Sequence, residues 1–237
     1  MTWSIVARDE ATGAFGIAVA THFFAVGARV PHIASGIGAV ATQALVNPFY
    51  GTRGLQLLRE GVPAPDVVRL LTEADTGRDH RQVHLMDGAG RIAAHTGSRC
   101  VDWCGHVIRD GFSVAGNMLA GPRVVEDTAT AYAASAALPF ARRLIAALKA
   151  GEAAGGDKRG KQSAALLIHG VEEYSDLDLR VDDHDDPLAE LGRLETVSRQ
   201  HWAHFRKFMP TRRDPAGTTD RATIEAGIAA GQAADSV

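Results

Sequence analysis

Apolar and polar positions along this chain change their period in blocks. "TWSIVAR" and "FGIAVATH" are short runs rich in β-branched and aromatic residues, and "DEATGA" between them is a turn cluster containing Gly13. The three together predict a hairpin whose first strand begins at Thr2. "GAVATQALV" predicts a third strand, closed by Asn47 and Pro48. The period then lengthens. Leu55 and Leu58 share one face of "GLQLLREG", and Val67, Leu70 and Leu71 make an apolar stripe in "APDVVRLLTEAD", predicting two helices. Strand character returns in "RQVHLMD", "GRIAAHTG" and "GFSVAGNM". Helix character returns in "PRVVEDTATAYAASA" and "PFARRLIAALKAGEA", whose Ala, Leu and Arg favour it. Beyond Gly155 and Gly156, "KQSAALLIHG" and "SDLDLRVDD" predict two more strands. "DPLAELGRLETVSRQHWAHFRKF" predicts a last long helix with Asp186 as N-cap and Pro187 in the first turn.

Strands and helices in segregated blocks, without regular alternation, predict an α+β fold of mostly antiparallel sheet with helices over the sheet faces. Residues 1–208 read as one domain. Residues 209–237 carry few large apolar residues and read as a loosely packed tail with a short helix around "ATIEAGIAA".

Composition narrows the function classes. A length of 237 residues with 46% hydrophobic and 22% charged content describes an ordinary globular chain with a sizeable core. The net charge of -3 and the lack of a basic run argue against nucleic acid or anionic membrane as partner, leaving small molecules or proteins. The start has no basic region followed by an apolar stretch and a small-residue cleavage site, which predicts a cytoplasmic location. Cys100 and Cys104 are too few for a disulfide framework, and with His106 they supply only part of a zinc site.

Thr2 is the first candidate for chemistry. Start methionines are commonly removed before a small residue, leaving a terminal threonine whose own α-amine can take the hydroxyl proton as the oxygen attacks a carbonyl. That amine titrates at roughly 7.7–8.0, close enough to neutrality to serve as general base. Gln43 and Asn47, where the third strand runs into a loop, are candidates for contacts to a substrate amide, with local turn chemistry as the alternative. Asn117 either donates to an oxyanion or caps the helix that follows. In "GGDKRGKQS", Asp157, Arg159 and Ser163 crowd the start of a buried strand; Arg159 either forks onto a substrate carboxylate or pairs with Asp157. "RVDDHDD" sets Asp182, Asp183, Asp185 and Asp186 around His184. It reads as a metal site, or as Arg180 pairing with an Asp while Asp186 caps a helix.

The stretches "TWSIVARDEATGAFGIAVATHFFAVGARVP", "GIGAVATQALVNPFYGTRGLQLL", "GFSVAGNMLAGPRVV", "GGDKRGKQSAALLI" and "DLRVDDHDDPLAEL" closely resemble the domain of unknown function 1028 family, from about Thr2 to Arg206. The resemblance implies an N-terminal-nucleophile hydrolase-like fold, a four-layer αββα sandwich, and amide-bond hydrolase ancestry. It also implies Thr2 as nucleophile, with Thr21 and His22 as polar neighbours of the terminal amine. A small amide-containing substrate, no cofactor, no metal and a possible homodimer complete the expectation. The rival readings are a binding or scaffold protein with an idle nucleophile, and a metal-dependent hydrolase centred on His184.

Overall fold

The computed structural model describes residues 2–235. By internal contacts the chain divides into two compact units, 1–191 and 192–237. Among the described residues the first contains ten strands: β1 (Thr2–Arg8), β2 (Phe15–Thr21), β3 (Pro31–Ala34), β4 (Gly38–Ala44), β5 (Arg81–Asp87), β6 (Ile92–Thr96), β7 (Trp103–Arg109), β8 (Phe112–Leu119), β9 (Ser163–His169) and β10 (Leu177–Val181). Its helices are α1 (Pro48–Arg59), α2 (Ala64–Glu73), α3 (Arg123–Ala134) and α4 (Phe140–Ala153), with the start of α5 (Pro187–Gln200). The fold is α+β, and every strand pair is antiparallel.

One sheet has six strands in the order β10-β9-β2-β1-β8-β7, the other four in the order β3-β4-β5-β6. Alternation along each strand decides what meets what. Val6, Ile17 and Val19 of the larger sheet pack against Ala39, Ala41 and Met86 of the smaller one. The intervening residues face helices: Val40, Val83 and Leu85 join Tyr50, Val67 and Leu71 of α1 and α2, while α3 and α4 lie on the larger sheet. At Gly16 a Cβ would come within 2.7 Å of the Leu144 and Phe140 side chains, so glycine lets β2 approach α4 this closely without displacing them.

Four details depart from the sequence reading. β3 and β7 are strands that no alternation announced. Leu70, expected in the apolar stripe of α2, is 39% exposed. The last predicted helix stops at Gln200 and is followed by the four-residue α6 (Trp202–Phe205) and a 3-10 turn at Arg206–Phe208. The tail contains α7 (Arg221–Asp235), a helix of 15 residues, longer than its composition suggested.

Candidate active site

Thr2 begins β1, paired with Thr21 at the end of β2 on one side and with Asn117 near the end of β8 on the other. Residues paired in this way share a face, and here it is the face turned toward the second sheet, because Ser4, two residues on, reaches Gln43 and His84. The Thr2 hydroxyl lies 3.0 Å from the Thr21 hydroxyl. Thr2 is 8% exposed, and Met1 lies outside the described residues.

Between the sheets, next to Thr2, the interior is polar. Ser4, Gln43, Gln82, His84, Ser113 and Asn117 are all buried there. Backbone carbonyls settle which way the amides point, since a carbonyl can only accept. Gln43 turns its Nε2 to the Ala115 carbonyl at 3.2 Å, and Gln82 turns its Nε2 to the carbonyls of Gly105 at 3.1 Å and Gly116 at 2.9 Å. The Gln82 Oε1 therefore accepts, from Gln43 Nε2 at 2.8 Å and from Asn117 Nδ2 at 3.1 Å. Ser4 gives its one proton to Gln43 Oε1 at 2.6 Å, so it accepts from His84 Nε2 at 2.8 Å, and the bare Nδ1 of His84 accepts from the Ser113 hydroxyl at 2.8 Å. His84 is thus a neutral imidazole in a defined tautomer. Burial, with a smaller contribution from the charge of His106, pushes its pKa down to about 3. Satisfied in this way at Ser4, Gln43, Gln82 and His84, the network costs little and specifies one arrangement.

Backbone strain gathers at the same end of the sheets. Ala25, Ala44, Asp102 and Met118 are the non-glycine residues with positive φ among the described residues, at 53°, 71°, 55° and 55°. Ala44 ends β4, Met118 follows Asn117, Asp102 precedes β7, and Ala25 lies four residues past Thr21. Such conformations cost about 1–3 kcal/mol each and collect at functional sites. Ala44, Asn117 and Met118 share a cavity of about 260 Å³.

The remaining candidates divide. His22 follows β2, its N–H donating to Asp157 Oδ2 at 3.0 Å while its buried Nδ1 makes no hydrogen bond among the described residues. Asp157 also accepts from the Arg159 backbone N–H at 2.8 Å and from the Arg159 guanidinium at 3.3 Å, and that guanidinium donates to the His22 carbonyl at 3.1 Å. Arg159 therefore clamps the loop after β2, as in the ion-pair alternative. Ser163 donates to the Phe23 carbonyl at 2.5 Å and accepts from Val26 N–H at 3.2 Å, holding the same loop. Gln43 is 1% exposed with its amide committed to protein partners. Asn47 caps α1 through Phe49 N–H and donates to Asp75 at 3.1 Å. Asn117 caps no helix, for Pro122 is the N-cap of α3.

The acidic cluster is laced by cations and amides. Arg180 grips Asp182 at 2.9 Å, Gln162 donates to Asp183 at 3.0 Å, Lys161 meets Asp186 at 2.8 Å, and Asp186 accepts from Ala189 N–H at 3.0 Å. Cys100 and Cys104 are free thiols, and His106 bonds Thr96 at 2.9 Å. Among the described residues no three His, Cys, Asp or Glu side chains are grouped to hold a metal ion, and no helix is long and apolar enough to cross a membrane.

A family model described as "Family of unknown function (DUF1028)" matches residues 2–191. The chain is similar to the crystal structure of protein SPO2555 from Silicibacter pomeroyi, itself described as DUF1028. The two are 36% identical over 92% of this chain and 99% of that one, with a TM-score of 0.86. A more distant likeness is to Anbu (ancestral beta-subunit) from Yersinia bercovieri, 12% identical over 82% of this chain and 94% of that one, with a TM-score of 0.42. No curated protein matches.

Proposed function

The chain belongs to the DUF1028 family, and from that premise and the geometry around β1 we propose that it is a hydrolase of a small amide, with Thr2 as an N-terminal nucleophile. The proposed fold class is the four-layer αββα sandwich of the N-terminal-nucleophile hydrolases. Two facing antiparallel sheets, with α1 and α2 against one and α3 and α4 against the other, support it. One observation carries the functional reading. The Thr2 hydroxyl sits beside the Thr21 hydroxyl at 3.0 Å, on the inter-sheet face, and its strand partner Asn117 lines a cavity.

Cleavage of the bond to Met1 frees the Thr2 α-amine. The Thr2 Oγ1 then attacks the substrate carbonyl as its proton passes to that amine, and Thr21 orients the hydroxyl. One N–H of Asn117 is spent on Gln82, and the other is available to the oxyanion. The protonated amine gives its proton to the leaving nitrogen as the C–N bond breaks, leaving an ester on Thr2. Water, deprotonated by the same amine, hydrolyses the ester and restores the hydroxyl. Gln43, Gln82 and Ser4 act by holding β1 and Asn117 in place; His22, Asp157, Arg159 and Ser163 hold the loop beside Thr21.

The test is intact mass of the protein purified from cells, with turnover of an acylamino-acid and amide panel by the wild type and by Thr2→Ala. Loss of one methionine and Thr2-dependent turnover are expected; equal turnover by both proteins ends the reading. The second reading, a binding protein with an idle hydroxyl, is favoured by the 8% exposure of Thr2 and requires no loss of Met1.

A further inference from the structure

The cavity beside Asn117 has walls that select a class of ligand. At about 260 Å³ it falls just under the usual range of ligand pockets, about 300–1,000 Å³, and suits a small metabolite. Two of its walls, Leu45 and Val101, are apolar yet 62% and 58% exposed. On its buried side stands Asn117, 1% exposed, whose side-chain oxygen accepts no hydrogen bond among the described residues. Cys100 is a neutral wall, its thiol donating to the Arg81 carbonyl at 3.4 Å.

The lining carries a guanidinium and no carboxylate. Arg99 and His80 line the cavity, and no Asp or Glu does. Neither the Arg99 guanidinium nor the His80 imidazole has a hydrogen-bond or ion-pair partner among the described residues. Nearby arginines are committed: Arg81 to Asp75 and the Leu45 carbonyl, Arg159 to Asp157 and the His22 carbonyl. A guanidinium fork left open above an apolar slot matches a carboxylate carried on a short apolar body.

We propose that this cavity binds a carboxylate-bearing acylamino compound, an N-acyl amino acid with an apolar side chain, the carboxylate on Arg99 and the side chain between Leu45 and Val101. Arg99 takes the part that the sequence assigned to Arg159. That the acyl amide is then cleaved rests on the hydrolase reading; binding of the anion does not.

The experiment titrates N-acetyl-L-leucine and its neutral carboxamide, N-acetyl-L-leucinamide, calorimetrically into the full chain in the Thr2→Ala background, where nothing is consumed. The acid is expected to bind about tenfold or more tighter than the carboxamide, and Arg99→Gln to lose that difference. Raising salt from about 0.05 to 0.5 M should weaken the acid and leave the carboxamide unchanged. Unaltered thermal melting of Arg99→Gln is expected, because its side chain has no bonding partner among the described residues. Equal affinity for acid and carboxamide, binding of neither, or an unchanged affinity for the acid in Arg99→Gln overturns the proposal. Each such result leaves Thr2-dependent turnover standing, whereas loss of Thr2 dependence with retained Arg99-dependent binding removes only the hydrolase.

Discussion

Thr2 and Asn117 stand side by side because two strands pair, and both turn inward because Ser4 does. The side chain of Thr2 can therefore be varied without disturbing the Gln43 to His84 network. Thr2→Ser keeps a hydroxyl and should retain turnover, while Thr2→Val, of the same shape, should reduce kcat by about 1,000-fold or more with melting little changed. The thiols give a second check. Burial lifts Cys100 to about 11, with Cys104 adding to the effect, and burial also raises Cys104. At pH 7.5 iodoacetamide should alkylate both more slowly than free cysteine, as read by mass, and rapid alkylation contradicts the burial described here. Legibility at this scale followed position. Thr2 and Asn117 lie at strand ends, where polar residues draw notice, whereas Thr21 and His22 were implied by the family resemblance alone. Ser4, Gln82, His84 and Ser113 alternate with apolar residues inside strands, and polar members of an alternating run read as solvent-facing. Here helices cover the outer faces, so the polar members went inward. The period-2 recurrence of Gln82 with His84, on a strand also rich in large apolar residues, was the signal present in the sequence. Arg99 had none, since an unpaired guanidinium is a fact of three dimensions.

Among the elements, Asp75 joins three. It accepts from Asn47 Nδ2 at 3.1 Å, the Tyr50 hydroxyl at 3.0 Å, Arg81 Nε at 3.1 Å and Gly77 N–H at 2.7 Å, tying the start of α1, the turn after α2 and the start of β5. Burial alone would raise its pKa, but these bonds outweigh it and hold the carboxyl at about 2. Its contribution to stability is present above the ordinary value near 3.8 and is lost as pH falls through 2. Asp75→Ala should cost about 2–3 kcal/mol in urea unfolding and Asn47→Ala about 1–2 kcal/mol. The double variant should cost less than the sum, since both remove the same bond; strict additivity contradicts the tie. Asn47 and Pro48 marked the start of α1 from sequence alone. β3 and β7 were missed for physical reasons. β3 has four residues, begins with Pro31, and lies at a sheet edge, where proline is tolerated. β7 is also an edge, partly exposed on both faces, so it shows no clean alternation.

For the whole molecule, the polar seam between the sheets sets the response to acid. His84 has its folded pKa depressed to about 3 against an ordinary 6.5, so between those values the unfolded chain binds the extra proton. Stability should be level above pH 6.5 and fall as pH drops toward 3, by at most about 5 kcal/mol from this group. Burial depresses His32 and His169 in the same direction. A denaturation series from pH 8 to 4 reads the slope, and His84→Gln should flatten it while lowering stability at pH 8. The α+β class followed from blocks of period along the chain, whereas the facing of one polar half-surface against another depended on which strands meet. The central claim is that the hydroxyl and amine of Thr2 work as a unit. A β-lactone tests it without knowledge of the substrate, because attack by Thr2 Oγ1 opens the ring and leaves the acyl group on the protein. Intact mass should show one adduct, mapped to Thr2, on the chain beginning at Thr2, and none on the chain retaining Met1 or on Thr2→Ala. Absence of the adduct from the first, or equal labelling of all three, would contradict the account.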